Sequence, residues 1–131
     1  MFEITIVVTF AAAHALRGHG GKCENVHGHN YRVEVTLQGE QLDSTGLLVD
    51  FADLKAWLRA ITDRFDHRTL NDVPPFHEIN PSAENIARYF YQEMARHLAA
   101  GTLARKARVA CVKIWETDTA AAAYRPAQGG T

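Results

Sequence analysis

His27-Gly28-His29-Asn30-Tyr31-Arg32-Val33-Glu34-Val35-Thr36-Leu37-Gln38 carries two patterns in one stretch. From Tyr31 to Gln38, apolar Tyr31, Val33, Val35 and Leu37 alternate with polar neighbours, the period of a β-strand with one buried face. Just before that strand stand two histidines, two residues apart. In extended chain such residues project from the same face, so both imidazoles can reach one ion while Gly28 leaves the space between them open. Upstream, Phe2 to Phe10 alternates too, with Phe2, Ile4, Ile6, Val8 and Phe10 on one side and Glu3, Thr5 and Thr9 on the other. Between the two strands, residues 17–30 form a loop rich in glycine and histidine. If the strands pair as an antiparallel hairpin, the end of the first lies beside the start of the second. His14, which follows Phe10-Ala11-Ala12-Ala13, is then brought to His27 and His29.

Downstream, Gly39 to Gly46 reads as a turn and Leu47 to Val49 as a short strand. Asp50 is an N-cap, followed at helical spacing by Phe51, Leu54, Leu58, Ile61 and Phe65. Asn71 to Pro81 contains three prolines and reads as a loop. Asn80-Pro81 reads as a second helix start, since proline suits the first helical position. That helix carries Ile86, Tyr89, Phe90, Met94 and Leu98, and Gly101 ends it. Ala107 to Glu116 is a further strand, and nothing is assigned to Ala120 to Ala123. Hairpin strands with consecutive helices grouped together indicate an α+β fold; helical crossovers after each strand, the mark of a parallel sheet, are absent.

The 131 residues suit one domain, expected over residues 1–127, with residues 128–131 a disordered tail. Fourteen basic and fifteen acidic residues leave a formal charge of −1, which gives no reason to expect nucleic acid or an anionic membrane as partner. No apolar run approaches the roughly 20 residues that span a bilayer. The N-terminus lacks the pattern of a signal peptide, so a cytoplasmic location is expected. In that reducing setting Cys23 and Cys111 are expected as free thiols. Histidine is the unusual residue: seven in all, with four between His14 and His29.

Three neutral imidazoles, His14, His27 and His29, suit Zn²⁺ and leave a fourth position open, the mark of a catalytic rather than a structural site. The alternative is that they are surface loop histidines. Cys23 lies four residues before His27, in a loop with Lys22 and several histidines. Cations and a metal stabilise thiolate, so Cys23 can act as a base; it could equally be an inert thiol or a fourth zinc ligand. Cys111, among Val109, Val112 and Ile114, reads as core. Asp66-His67 pairs a carboxylate with an imidazole it can orient for proton transfer, though such dipeptides also occur by chance at helix ends. Glu116, closing an apolar strand, is either solvated or presents a carboxylate to a ligand with paired N–H donors, such as an aminopyrimidinone ring.

Taken together these blocks resemble the 6-pyruvoyl-tetrahydropterin synthase superfamily, most closely its 6-carboxytetrahydropterin synthase branch. The matching blocks are Phe10-Ala11-Ala12-Ala13-His14, Cys23-Glu24-Asn25-Val26-His27-Gly28-His29-Asn30-Tyr31, Leu48-Val49-Asp50-Phe51-Ala52-Asp53-Leu54-Lys55, Asp66-His67-Arg68-Thr69-Leu70-Asn71, Asn80-Pro81-Ser82-Ala83-Glu84-Asn85 and Trp115-Glu116-Thr117. The resemblance implies a T-fold: an antiparallel four-stranded sheet with two helices on one face. It implies that subunits join into trimers or pairs of trimers, with active sites between them. By the same resemblance His14, His27 and His29 bind zinc, Cys23, Asp66 and His67 are the acid–base residues, and Glu116 anchors a pterin. The implied substrate is 7,8-dihydroneopterin triphosphate, and the implied products are 6-carboxytetrahydropterin, acetaldehyde and triphosphate, an early step toward queuosine and other deazapurines. Arg17, His19 and Lys22 are candidates for the triphosphate. Arg68 departs from the branch, where a second histidine often follows the Asp-His pair. The three-residue gap between Cys23 and His27 favours the carboxy branch over the pyruvoyl branch. A non-catalytic metal-binding or redox-sensing module is the distant alternative.

Overall fold

The structure, a computed structural model, describes residues 1–101 and 106–127, with Cys23 described through its backbone alone. The tail expected at 128–131 lies outside the described residues. Strand β1 spans Phe2–His14 and β2 His27–Gly39. They form an antiparallel hairpin in unbroken register from Phe2 opposite Gly39 to His14 opposite His27. Both strands are longer than alternation indicated. Ala11, Ala12 and Ala13 continue β1, and His27-Gly28-His29 lies inside β2 rather than ahead of it.

Helix α1 spans Phe51–Thr62 and strand β3 Arg68–Thr69; helix α2 spans Ala83–Ala100, and β4 and β5 span Arg108–Thr117 and Ala120–Tyr124. The sheet order is β3-β1-β2-β4-β5. Among the described residues only β3 runs parallel to its neighbour, pairing Arg68 and Thr69 with Ala12 and Ala13. The α+β arrangement is as expected, but among the described residues the sheet has five strands rather than four.

One sheet face carries Ile6, Val8, Phe10, Tyr31, Val33, Val35, Leu37, Val112 and Ile114, and it packs with the buried stripes of both helices in one core. Leu54, Leu58 and Ile61 come from α1, and Ile86, Phe90, Met94 and Leu98 from α2. Burying each such side chain contributes about 1.5–3 kcal/mol. Among the described residues no helix is long and apolar enough to cross a membrane.

Four local expectations are corrected. Leu47–Val49 is not a strand. The Asp43 carboxylate accepts from the N–H groups of Thr45 and Leu47, curling the chain, and Leu48 and Val49 are buried without strand pairing. Helix α1 stops before Phe65, which is buried in the following turn against Phe76 and Phe90. Helix α2 starts two residues after Pro81: Ser82 is the N-cap, accepting from the Asn85 N–H at 3.2 Å. Cys111 is not core. Its neighbour Val112 points inward, so Cys111 is half-buried on the opposite face and lines a cavity of about 610 Å³ with Arg108 and Lys113. A bulge opposite Thr36 and Leu37 restores the inward direction at Val109.

Candidate metal centre and its surroundings

The hairpin register decides the site. His14 and His27 are its last cross-strand pair, and His29 lies two residues along β2 on the same inward face. The three rings stand nearly edge-on to one another, with centroids 4.5 Å apart for His14–His27, 5.0 Å for His14–His29 and 4.9 Å for His27–His29. One ring nitrogen from each falls within 4.8 Å of the others. Gly28 does not separate the imidazoles. It faces the other side of the sheet, where a Cβ would meet the Ala12 carbonyl at an ordinary 3.8 Å.

The tautomers follow from the hydrogen bonds. His14 Nδ1–H donates to the Pro81 carbonyl and His27 Nδ1–H to the Asn25 carbonyl, each at 2.7 Å. Both Nε2 atoms therefore carry lone pairs, and they face each other at 3.0 Å. Two neutral lone pairs at that distance repel, whereas a shared cation makes the same arrangement favourable. His29 Nε2 is buried with no hydrogen-bond partner. A tetrahedral ion with Zn–N bonds of about 2.0–2.1 Å holds its nitrogens roughly 3.3 Å apart, close to the 3.0 Å between His14 and His27 Nε2. The donor set fits a metal ion.

Burial pushes the His14 pKa below the ordinary imidazole value; the Pro81 carbonyl and Glu116 pull it back, and His27 lowers it again. Burial also lowers His29, with Glu116 opposing and the other two histidines adding to the decrease. Burial thus favours the neutral form of His14 and His29, the form that binds metal. Glu116 Oε1 lies 3.8 Å from His14 Nε2, so the carboxylate borders the histidine cluster. Tyr31 forms the floor. Its ring meets those of His14 and His29 edge-on, and burial raises its hydroxyl pKa far above the ordinary value.

Asp66 and His67 sit across β1, at the β3 edge of the sheet. Asp66 Oδ1 accepts from the Ala11 N–H at 2.9 Å, and the His67 N–H donates to the Ala11 carbonyl at 2.6 Å. His67 adopts φ +59°, a left-handed conformation that costs a non-glycine residue about 1 kcal/mol or more and recurs at functional positions. Its Nδ1 lies 3.1 Å from Asp66 Oδ1, and its side chain is 82% exposed. The Ala11 N–H bond is the main cause that lowers the Asp66 pKa, with His67 adding to it and desolvation opposing. His67 shares a shallow groove of about 460 Å³ with Ala11, Ala13, Gly28 and His29.

The structure thus brings His14, His27, His29 and Glu116 together, and it sets Asp66 against His67 at the β3 edge, on the groove that Gly28 and His29 also line. Cys23 is in a short 3-10 turn, Lys22–Glu24, leading to His27; its side chain lies outside the described residues. Arg17 is engaged locally, donating to the Phe76 carbonyl at 3.0 Å, while His19 and Lys22 are exposed. Arg68 turns its guanidinium to the Arg64 carbonyl at 3.5 Å. Sequence reasoning did not find the Pro81 and Asn25 carbonyls that orient the histidines. Backbone acceptors leave no residue-type signal.

The family model for 6-pyruvoyl tetrahydropterin synthase matches residues 3–127. A Bacillus subtilis protein named 6-carboxy-5,6,7,8-tetrahydropterin synthase is 35% identical over 98% of this chain and 88% of its own length. Human 6-pyruvoyl tetrahydrobiopterin synthase is 38% identical over 80% of this chain and 71% of its own. The structure of Caenorhabditis elegans 6-pyruvoyl tetrahydropterin synthase superposes with a TM-score of 0.82 at 29% identity, covering 96% of each chain. Sequence and fold agree over almost the whole length, and the chain belongs to the 6-pyruvoyl tetrahydropterin synthase family.

Proposed function

We propose that this chain is a zinc-dependent 6-carboxytetrahydropterin synthase. It converts 7,8-dihydroneopterin triphosphate and one water to 6-carboxy-5,6,7,8-tetrahydropterin, releasing acetaldehyde and triphosphate on the way to queuosine and other deazapurines. The observation that carries this reading is the convergence of three histidines, two of them tautomer-fixed, with Glu116 at their rim, in a chain of this family. His14, His27 and His29 would hold zinc, which supplies Lewis acidity toward the oxygens of the substrate side chain. Glu116 accepts the paired N–H donors of the pterin ring and fixes its orientation. Cys23, as thiolate, takes the carbon-bound proton next to the ring. His67, held by Asp66, moves the hydroxyl proton.

The working unit in this proposal is a trimer or a pair of trimers with sites between subunits. Both outer strands, β3 and β5, have one free edge among the described residues, and free edges invite pairing. His67, and Val26 beside the Cys23 turn, are strongly exposed in the single chain.

Incubating the purified protein with 7,8-dihydroneopterin triphosphate is the test. Release of triphosphate with a new tetrahydropterin is expected, abolished by a chelator and restored by zinc. No pterin turnover by zinc-loaded protein refutes the reading. The human relative's name supports a second reading, in which the product is 6-pyruvoyl-tetrahydropterin.

A further inference from the structure

Past His14 the chain leaves the sheet, yet Ala15 and Arg17 still have strand-like partners, and both partners are side chains. The Ala15 N–H donates to Asn71 Oδ1 at 2.9 Å, and its carbonyl accepts from Asn71 Nδ2 at 2.9 Å. The Arg17 N–H donates to Asn80 Oδ1 at 2.8 Å, and its carbonyl accepts from Asn80 Nδ2 at 2.9 Å. A carboxamide presents a donor and an acceptor side by side, as a peptide group does. Each asparagine therefore replaces one rung of a ladder. The Asn80 carbonyl is itself anchored by Asn85 Nδ2 at 2.9 Å. The residue after Asn80 is Pro81, whose carbonyl receives the His14 Nδ1–H.

We propose that Asn71 and Asn80 are positioning residues that fasten the segment from Leu70 to Ser82 to the chain leaving His14, so that the Pro81 carbonyl holds the His14 ring with its Nε2 turned toward His27. The proposal rests on the reading of His14, His27 and His29 as metal ligands. It extends that reading to residues that touch neither metal nor substrate. An imidazole ligates through the nitrogen that lacks the proton, and its other nitrogen must find an acceptor to keep it so. His14 is 1% exposed, so water does not readily replace the Pro81 carbonyl there. Loss of such an outer partner lowers metal affinity about 10–100-fold. Asn80, adjacent to Pro81, has the stronger effect; Asn71 acts on the same segment from its other end.

The test measures Zn²⁺ affinity of the purified full chain by competition with a chromophoric chelator, and the His14 tautomer of the metal-free chain by ¹⁵N NMR. The variants are Asn80→Ala, Asn80→Asp and Asn71→Ala. Val109→Ala, in the core at the opposite end of the sheet, is the control for lost stability alone. Asn80→Ala is expected to bind Zn²⁺ about 10–100-fold more weakly and to show a mixed His14 tautomer. Asn80→Asp keeps the acceptor for Arg17 N–H but sets an oxygen against the Arg17 carbonyl, so it should follow Asn80→Ala. Val109→Ala should melt lower yet bind zinc as the wild type does. Unchanged zinc affinity and tautomer in Asn80→Ala overturn the proposal; should that variant not fold, the same readouts on Asn71→Ala decide it. A wild-type chain with no zinc affinity instead refutes the metal reading, and the His14 tautomer then decides the clamp separately.

Discussion

His14 and His27 are the final cross-strand pair of a thirteen-pair hairpin, and their Nε2 atoms face each other at 3.0 Å with the protons held on the far side of each ring. Such a pair, joined by His29, calls for a cation. About one zinc per chain is expected in the folded protein. His27→Ala should lose it. Zinc at a hundredfold excess over its Kd should stabilise the wild type by about 2.7 kcal/mol and leave His27→Ala unaffected. Metal analysis and thermal melts check both; equal zinc content in the two proteins removes His27 from the ligand set.

The pH dependence of metal binding has a definite sign. Burial lowers the pKa of His14 and His29 below 6.5. Protons compete with zinc for a nitrogen only once that nitrogen titrates. Proton competition at His14 and His29 should therefore weaken zinc binding only below pH 6.5. The metal-free protein follows the same direction. Its unfolded chain takes up protons near the ordinary value, before the folded one does, so this contribution to stability is present above 6.5 and lost as the pH drops toward the lowered folded values. Chelator competition and urea melts across this range check it. Stability that rises on acidification through the window contradicts the buried neutral histidines.

The two cysteines should behave differently. Cys23→Ala should keep fold and zinc while turnover falls by about 10²–10⁴, the usual contribution of one acid–base group. Loss of zinc instead makes Cys23 a ligand. Cys111, a free thiol on the sheet face away from the helices, should tolerate alanine at a cost of about 1 kcal/mol with full turnover.

Histidine spacing and alternation made the histidine cluster and the hairpin legible, because a period of two fixes which side chains share a face. The ends were less legible. Ala11 to Ala13 and Ala120 to Ala123 lack the branched or aromatic residues that favour strands. They are strands because β2, β3 and β4 offer them partners, and a partner distant in sequence leaves no local trace. Leu47 to Val49 is the converse, apolar residues that reach the core with no strand beside them. Asn71 and Asn80 were visible only as parts of motifs. Their work on Ala15 and Arg17 depends on a loop folding back over more than fifty residues of sequence.

Glu116→Gln should weaken pterin binding about 10–100-fold, the worth of a charge-assisted hydrogen bond turned into a donor facing a donor. Glu116 also stands 3.8 Å from His14 Nε2, so zinc content must be measured alongside. Weaker pterin binding with full zinc supports the anchoring role. Unchanged pterin affinity removes Glu116 from the pterin site, and lost zinc makes it a metal neighbour instead.

The product is the last expectation. Relatives of both kinds resemble this chain, one named for a carboxy product and one for a pyruvoyl product, so overall identity does not choose between them. The local chain does more. Three residues separate Cys23 from His27, and a short 3-10 turn holds the Cys23 backbone close ahead of β2. The four Cα–Cα steps from Cys23 to His27 span at most about 14 Å, so the Cys23 side chain has a limited range of positions relative to the histidines. Both reactions remove protons from the same side chain and expel triphosphate. They differ in whether the side chain is then cut between its carbons. In the proposed mechanism Cys23 is the base, and its position sets which proton moves next and with it whether cleavage or isomerisation follows. Acetaldehyde and 6-carboxytetrahydropterin are therefore the expected products, and mass spectrometry of the anaerobic reaction with an aldehyde trap measures both. A dominant 6-pyruvoyl product without acetaldehyde assigns the chain to the pyruvoyl branch and leaves the histidine site and the fold as they stand. Lengthening the Cys23–His27 connection by inserted residues should, on the same reasoning, lower the yield of acetaldehyde per triphosphate released before it lowers zinc affinity.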